Sequence, residues 1–457
     1  MANVQCNESA NVMSELYFEW LKHLDLMDGL NQVPFRIQQR RNGFTPAMRC
    51  LTLLASQAQR CGRLTDWGPI HRLDSRLQHW LGGRPGPHPS TLSRTLAATD
   101  EQTIEVLRQK VLVPLTDQVL LSPQAQKRRV FFDIDNKALA AEGKQYEGTA
   151  TGRMGDGGYA RGYRLHMISL DNIWPLEMDF TGANAHAAPS AMVMVKRFMH
   201  RVHGSLRKRM VLRGDSNHGC VQFIRFLSRY AAGYLLKSYS SATARKLWKT
   251  HCDRTKERIV RSGKIDLLAI DLGPTVITGM TRKQLPNGKT RRRACRVTVP
   301  RVVVYAEDPH QLPADKKPNC FALLTTLPTQ EYAPTSLLDE AYLPRGGDIE
   351  NIFCQLDQAF EITHLRCRKF YGNWTFLMLS LIAATLTQMI RQEAIGHEQP
   401  IPPGLKETLV AAGECGLRLR QDPSAGCELV VTLTGSFTET FQKAIRCSWQ
   451  HRFRYAA

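Results

Sequence analysis

The chain has 457 residues, 43% hydrophobic and 22% charged, close to globular averages, which excludes wholesale disorder and leaves room for a large core. At a soft prior of ~150 residues per domain this is about three domains' worth of chain. Lys plus Arg number 61 against 41 Asp plus Glu, so a formal charge of +20 is spread over a folded protein and calls for a polyanionic partner, either nucleic acid or an anionic membrane surface.

The 12 cysteines are scattered and none forms a C-x-x-C pair, which argues against a zinc ribbon or finger and fits free thiols in a reducing cytoplasm. The first residues carry no basic segment followed by an apolar one, so no secretory signal is expected. The longest uncharged stretch, residues 371–390, contains Asn373, Thr375, Ser380, Thr385, Thr387 and Gln388. It is too polar for a membrane span and is expected as a buried core helix, so the membrane partner recedes.

Residues 1–125 read as a helical N-terminal region. Apolar residues recur at helical spacing through Met48, Leu51, Leu53 and Leu54, and through Ile70, Leu73, Leu77 and Leu81. The Gly- and Pro-rich run 82–89 stops that pattern, and Ser90-Thr91-Leu92-Ser93-Arg94 opens another helix. Two short helices about a turn, the second carrying Arg94, suit a DNA-binding helix-turn-helix, although hairpins that only pack share the pattern.

Residues 126–240 change period. Val130, Phe132 and Ile134 alternate with Phe131, Asp133 and Asp135, as a strand requires. Strands are also expected at 163–170 and 174–181, then a helix at 189–203, a strand at 209–215, a helix at 221–230 and a strand at 234–237. That order is a mixed α/β core with acids on its first and fourth strands. Residues 241–333 read as a basic, β-rich insertion, with strand-like runs at 297–305 and 320–326 and the cluster Arg291, Arg292, Arg293 and Arg296. Trp248, where it begins, suits either packing or stacking on a flipped base. Residues 334–395 return to helix, with Ile352, Phe353, Leu356 and Phe360 at helical spacing. After the Pro-rich break near 400, residues 396–457 form a small tail, with a strand at 427–433 and a helix at 438–449.

Three acids stand out by position: Asp135, with Asp133 on the same strand face; Asp215, ending a strand; and Glu350, in the first turn of an amphipathic helix. Magnesium takes oxygen ligands from one or two carboxylates plus water and phosphate. Two such ions would stabilise both the attacking and the leaving oxygen of an in-line phosphoryl displacement. Taken singly, Asp215 is equally readable as a helix cap and Glu350 as a favourable charge near a helix start. His166, His186, His218 and His364 have no metal-ligand spacing and read as surface or hydrogen-bonding residues.

Asp133-Ile134-Asp135 with Glu142-Gly143-Lys144-Gln145, Val211-Leu212-Arg213-Gly214-Asp215-Ser216, and Tyr342-Leu343-Pro344-Arg345-Gly346-Gly347-Asp348-Ile349-Glu350-Asn351 together resemble the three catalytic blocks of bacterial insertion-sequence DDE transposases. The segments 90–94 and 364–370 agree as well, so the resemblance runs over about 45–450. It implies a ribonuclease-H-like mixed-sheet catalytic core with a β-rich insertion between the second aspartate and the glutamate. An N-terminal helical DNA-binding domain and C-terminal helices would flank it. It implies Asp135, Asp215 and Glu350 as catalytic metal ligands, with Asp133 the alternative first ligand, two Mg²⁺ ions that Mn²⁺ can replace, and Tyr342 and Arg345 on the DNA backbone. Arg366, Arg368, Lys369, Arg94, Arg291, Arg292 and Arg293 are the further DNA contacts expected. The activity implied is cleavage of transposon ends and transfer of the freed 3′-hydroxyl into target DNA, by a homodimer acting at the nucleoid.

The sequence departs from that pattern in three places. One extra glycine separates Arg345 from Glu350, Asp357 stands where the signature has lysine, and Asn136-Lys137 follow Asp135 where threonine is commoner. Lys369 or Arg366 would then have to supply the missing phosphate contact. A ribonuclease-H-like nuclease without strand transfer, and an inactive transposase-derived DNA-binding protein, are the alternative readings.

Overall fold

A computed structural model of the chain describes residues 6–9, 11–37, 43–143, 145–154, 157–171, 173–230, 232–284, 290–313, 315–345, 352–392, 404–421, 429–435, 437, 439 and 441. The N-terminal region is helical as expected, with the short strand β1 (Cys6–Ser9) ahead of helices that include Val12–His23, Pro46–Ala58, Pro89–Ala97 and Glu101–Leu107. Each starts on a recognisable cap: the side chains of Asn11, Thr45, His88 and Asp100 accept from the first-turn N–H groups.

The centre of the molecule is a ten-stranded mixed sheet. Its first half comprises β2 (Val130–Ala140), β3 (Ala150–Arg153), β4 (Tyr159–Leu170), β5 (Trp174–Gly182), β6 (Met210–Gly214) and β7 (Gly233–Lys237). β2 pairs antiparallel with β4, which pairs antiparallel with β5. On its other side β2 runs parallel to β6, and β6 parallel to β7. The resulting order β5-β4-β2-β6-β7 is consistent with a ribonuclease-H-like core.

The basic segment after β7 holds β8 (Glu257–Ile259), β9 (Leu267–Asp271), β10 (Thr275–Gln284), β11 (Thr290–Val299), β12 (Arg301–Glu307) and β13 (Cys320–Thr325). Four of these strands continue the central sheet in the order β7-β13-β12-β9-β8, while β10 and β11 form a separate two-stranded ribbon. The single strand expected at 297–305 is therefore two strands. Pro300 has no N–H for a ladder, and at that residue the chain leaves the ribbon, where Val299 pairs with Thr275, and joins the sheet, where Arg301 pairs with Thr325.

The two faces of the sheet bury different clusters. Val130, Phe132 and Ile134 belong to the main core, in which Phe132 meets Phe198 of the Ala187–Arg201 helix at 5.4 Å between ring centroids. A second core joins Val211, Leu235, Val303, Tyr305 and Leu323 to Leu337, Leu338 and Ala341, with Phe131 and Tyr342 at its edge. The Phe370–Ile390 helix is long and apolar enough to cross a membrane, yet 94% of that window is buried inside the protein. It packs against Val12–His23, Pro46–Ala58, Pro89–Ala97 and Glu101–Leu107, and the Tyr17 hydroxyl meets Thr387 Oγ1 at 2.6 Å. The N-terminal helices thus share one core with the C-terminal half.

In the tail, a helix at Leu405–Gly413 and the strand β14 (Cys415–Gln421) were not anticipated, and the expected strand at 427–433 is β15 (Leu429–Gly435). β14 pairs with both β1 and β15. The helix expected at 438–449 lies outside the described residues, save for isolated positions.

Candidate active site

The parallel ladder between β2 and β6 ends at Ile134 opposite Gly214. The next residue on each strand is an aspartate, so Asp135 and Asp215 emerge side by side where the ladder stops. Arg345 pairs with the first and lies within electrostatic reach of the second. Its Nη2 lies 3.1 Å from Asp135 Oδ2 and donates to the Ile134 carbonyl at 3.4 Å. Burial alone would lower the Arg345 guanidinium, but Asp135, Tyr342, Asp215 and Asp133 outweigh it and hold it above its usual value. Burial, with the two carboxylates Asp215 and Asp135 adding to it, pushes the Tyr342 hydroxyl up to about 12.

Asp215 is anchored by its own turn. His218 Nδ1 meets Asp215 Oδ1 at 2.8 Å, the Asn217 backbone N–H donates to the same oxygen at 3.0 Å, and Asn217 Nδ2 donates to Oδ2 at 2.7 Å. Burial would raise the carboxyl, but His218, Arg345 and the Asn217 N–H prevail and hold it below the usual range. The turn is tight enough to require a glycine. A Cβ on Gly214 would stand 2.9 Å from His218 Cβ and 3.0 Å from Leu236 Cδ2.

Asp133 shares a strand face with Asp135 but is differently engaged. It lies directly opposite Arg213 in the parallel register, and the two form a fork, with Nε on Oδ1 and Nη2 on Oδ2, both at 2.8 Å. Arg213 also donates to the Ala341 carbonyl at 2.8 Å and lies over the Phe131 ring at 4.7 Å. Burial pushes the Asp133 carboxyl up and Arg213 opposes it. Asp135 and Asp215, with side chains 24% and 28% exposed, are the carboxylates that solvent reaches. As hard oxygen donors on adjacent strands they fit a divalent cation of the magnesium type. Among the described residues no three His, Cys, Asp or Glu side chains converge as a ligand cluster.

Glu350 lies outside the described residues, as do Gly346, Gly347 and Asp348. The nearest described residues on either side, Arg345 and the helix that starts at Ile352, both return to β2. Arg345 pairs with Asp135, and the Ile352–Phe360 helix carries Asp357, whose Oδ2 is 3.4 Å from Lys137 Nζ. The acid at 357 is therefore answered by a cation on the strand.

The other expected DNA contacts divide. Arg94, Arg293, Arg368 and Lys369 are exposed, with Lys369 3.7 Å from Glu147. Arg94 donates to Ser90 of its own helix. Arg366 is drawn inward, over the Phe376 ring at 4.8 Å and onto the Phe360 carbonyl. The side chains of Arg291 and Arg292 lie outside the description, although their backbones pair in register with Lys283 and Arg282. Trp248 packs partly on the main core with Lys256 over its ring at 5.8 Å.

Sequence reasoning missed Arg213 and Lys137. Of the two alternatives read for His166 and His218, the hydrogen-bonding one holds: both are fully buried, His218 on Asp215 and His166 with Nε2 3.3 Å from Thr181 Oγ1. Burial, helped by His218 and Arg164, pushes His166 down to about 3. Arg164 also reaches the site's rim, donating to Asn136 Oδ1 at 3.0 Å. The Asp-x-x-His spacing was a usable signal for His218; Arg213 was legible only once the β2–β6 register was known.

No curated protein matches the sequence. The family model described as transposase DDE domain group 1 matches residues 88–400, more than half of the chain, beginning at the cap of the Pro89–Ala97 helix and running past the segment that carries Glu350. With the two aspartates side by side at the end of the parallel ladder and that span matched, the chain belongs to the DDE transposases.

Proposed function

We propose that this protein cuts the ends of its own insertion sequence and joins the freed 3′-hydroxyl to target DNA. The observation that carries the reading is the emergence of Asp135 and Asp215 as the next residues beyond a shared ladder, with Arg345 paired to Asp135. Asp135, Asp215 and Glu350 would hold Mg²⁺, as two ions that Mn²⁺ can replace. When bound, the metal supplies a polarised phosphoryl group and a water of lowered pKa. Asp133 is the weaker choice of ligand because both of its oxygens already serve Arg213.

Each residue's contribution follows from its surroundings. His218 and Asn217 fix the Asp215 carboxylate in one orientation and keep it ionised, so no proton must leave before it binds a cation. Arg345 balances the acids before DNA arrives and offers a guanidinium where a phosphodiester would be drawn. Tyr342, whose hydroxyl stays protonated, can donate to a phosphate oxygen. Arg94, Arg291, Arg292, Arg293, Arg368 and Lys369 would hold the DNA backbone at a distance from the chemistry. Synapsis of two ends would need two copies of the chain, acting at the nucleoid in the cytoplasm.

The test is incubation of purified protein with DNA carrying the terminal inverted repeats that flank its gene, in Mg²⁺ and in Mn²⁺. The reading expects nicked ends and joined products. A protein that cuts and never joins is a nuclease, and one that binds the ends and leaves them whole is an inactive derivative.

A further inference from the structure

We infer that Lys137 forms a backbone-phosphate subsite beside Asp135, its ammonium resting on Asp357 until DNA arrives. The inference rests on the reading that Asp135 lies at the scissile phosphate. Lys137 is two residues beyond Asp135 on the same face of β2, opposite Leu165 where Asp135 is opposite Met167. Two strand residues span about 7 Å, so a phosphate next to the one at Asp135 falls within a lysine's reach.

The cations around the site differ in how firmly they are held. Arg213 is forked onto Asp133 at 2.8 Å, Arg164 is on Asn136 at 3.0 Å and Arg345 is on Asp135 at 3.1 Å. The Lys137 ammonium is 3.4 Å from its carboxylate, longer than the ~2.7–2.9 Å of a tight charged hydrogen bond, and the two side chains are 25% and 30% exposed. Asp357 does not depend on it, because its other oxygen accepts from the Thr363 N–H at 3.0 Å and hydroxyl at 2.7 Å. The carboxylate stays fixed while the ammonium exchanges it for a phosphate oxygen. Lysine, a compact point charge on a flexible stem, suits that exchange.

The experiment measures binding of a nicked DNA duplex between about 50 and 200 mM salt by wild type, Lys137→Gln, Lys137→Arg and Asp357→Asn. Loss of one phosphate contact lowers the slope of log K on log salt by about 0.9, so across that range Lys137→Gln loses roughly 3.5-fold less affinity than wild type. Lys137→Arg keeps the wild-type slope. Asp357→Asn, which can still accept from Thr363, keeps the slope and binds no more weakly. Lys137→Met, which keeps the apolar stem, serves the same comparison if the glutamine variant folds poorly. An unchanged slope in Lys137→Gln, or an equal loss of slope in Asp357→Asn, overturns the inference. A wild type without salt-dependent binding overturns the proposed function and this subsite with it, whereas steep wild-type binding that Lys137→Gln leaves unmoved overturns the subsite alone.

Discussion

Asp133 and Asp135 are two residues apart on one strand face, and their removal should have separable consequences. Asp133→Ala leaves the Arg213 guanidinium, whose side chain is 4% exposed, without either of its 2.8 Å carboxylate contacts. The Ala341 carbonyl and the Phe131 ring remain, and neither carries a charge. Removing one partner of a buried ion pair costs about 3–5 kcal/mol. Asp135→Ala leaves Arg345 with the Asp215 carboxylate and the Ile134 carbonyl nearby, at a cost of about 1–2 kcal/mol. Urea unfolding measures the difference. With a slope near 3 kcal/mol/M, the Asp133→Ala midpoint falls by roughly 1–1.7 M and that of Asp135→Ala by roughly 0.3–0.7 M. The double variant Asp133→Ala/Arg213→Leu regains most of the loss, because no buried charge is then left unpaired. An Asp135→Ala midpoint as low as that of Asp133→Ala, or a double variant no better than the single, would refute the assignment.

Three further outcomes follow from the same surroundings. The unfolded chain protonates His166 near its ordinary 6.5 but the folded chain only near 3, so stability is full above pH 6.5 and declines as pH falls toward 3, by at most ~1.4 kcal/mol per pH unit. His166→Gln flattens that decline, and equal acid slopes in the two proteins would contradict it. His218→Ala frees the Asp215 carboxylate and raises the Mg²⁺ concentration for half-maximal cleavage by about 10–100-fold; an unchanged requirement would show that the histidine only packs. Gly214→Ala forces its Cβ against His218 and Leu236 and lowers stability by about 1–3 kcal/mol, read as a lower thermal midpoint, while an unshifted midpoint would mean that the turn yields freely.

Much of the molecule was legible in the sequence because its signals are local. The alternation through Val130–Asp135 marked β2, the run through 210–214 marked β6, and the acids on the first and just beyond the second marked the site. What stayed hidden depends on contacts between distant residues. Arg213 meets Asp133 only through parallel register, and Lys137 meets Asp357 across 220 positions. The basic segment 241–333 looked like a separate insertion because its strands are distant in sequence from the core, yet β13 joins β7 in hydrogen-bonded register. Pro300 was visible, but its meaning as the crossing from ribbon to sheet needed both partners, Thr275 and Thr325. The charge of +20 that first suggested a polyanion is not all available to one: Arg213, Arg301 and Arg366 are spent inside the fold.

The most direct test of the account compares cleavage of the element's own ends in Mg²⁺ by wild type, Asp135→Asn, Asp215→Asn and Glu350→Gln, each first shown to bind those ends. The account predicts that the wild type nicks and joins the DNA, and that each variant binds it as tightly while cutting at a background rate. Wild-type cleavage by any one of the three variants would contradict it.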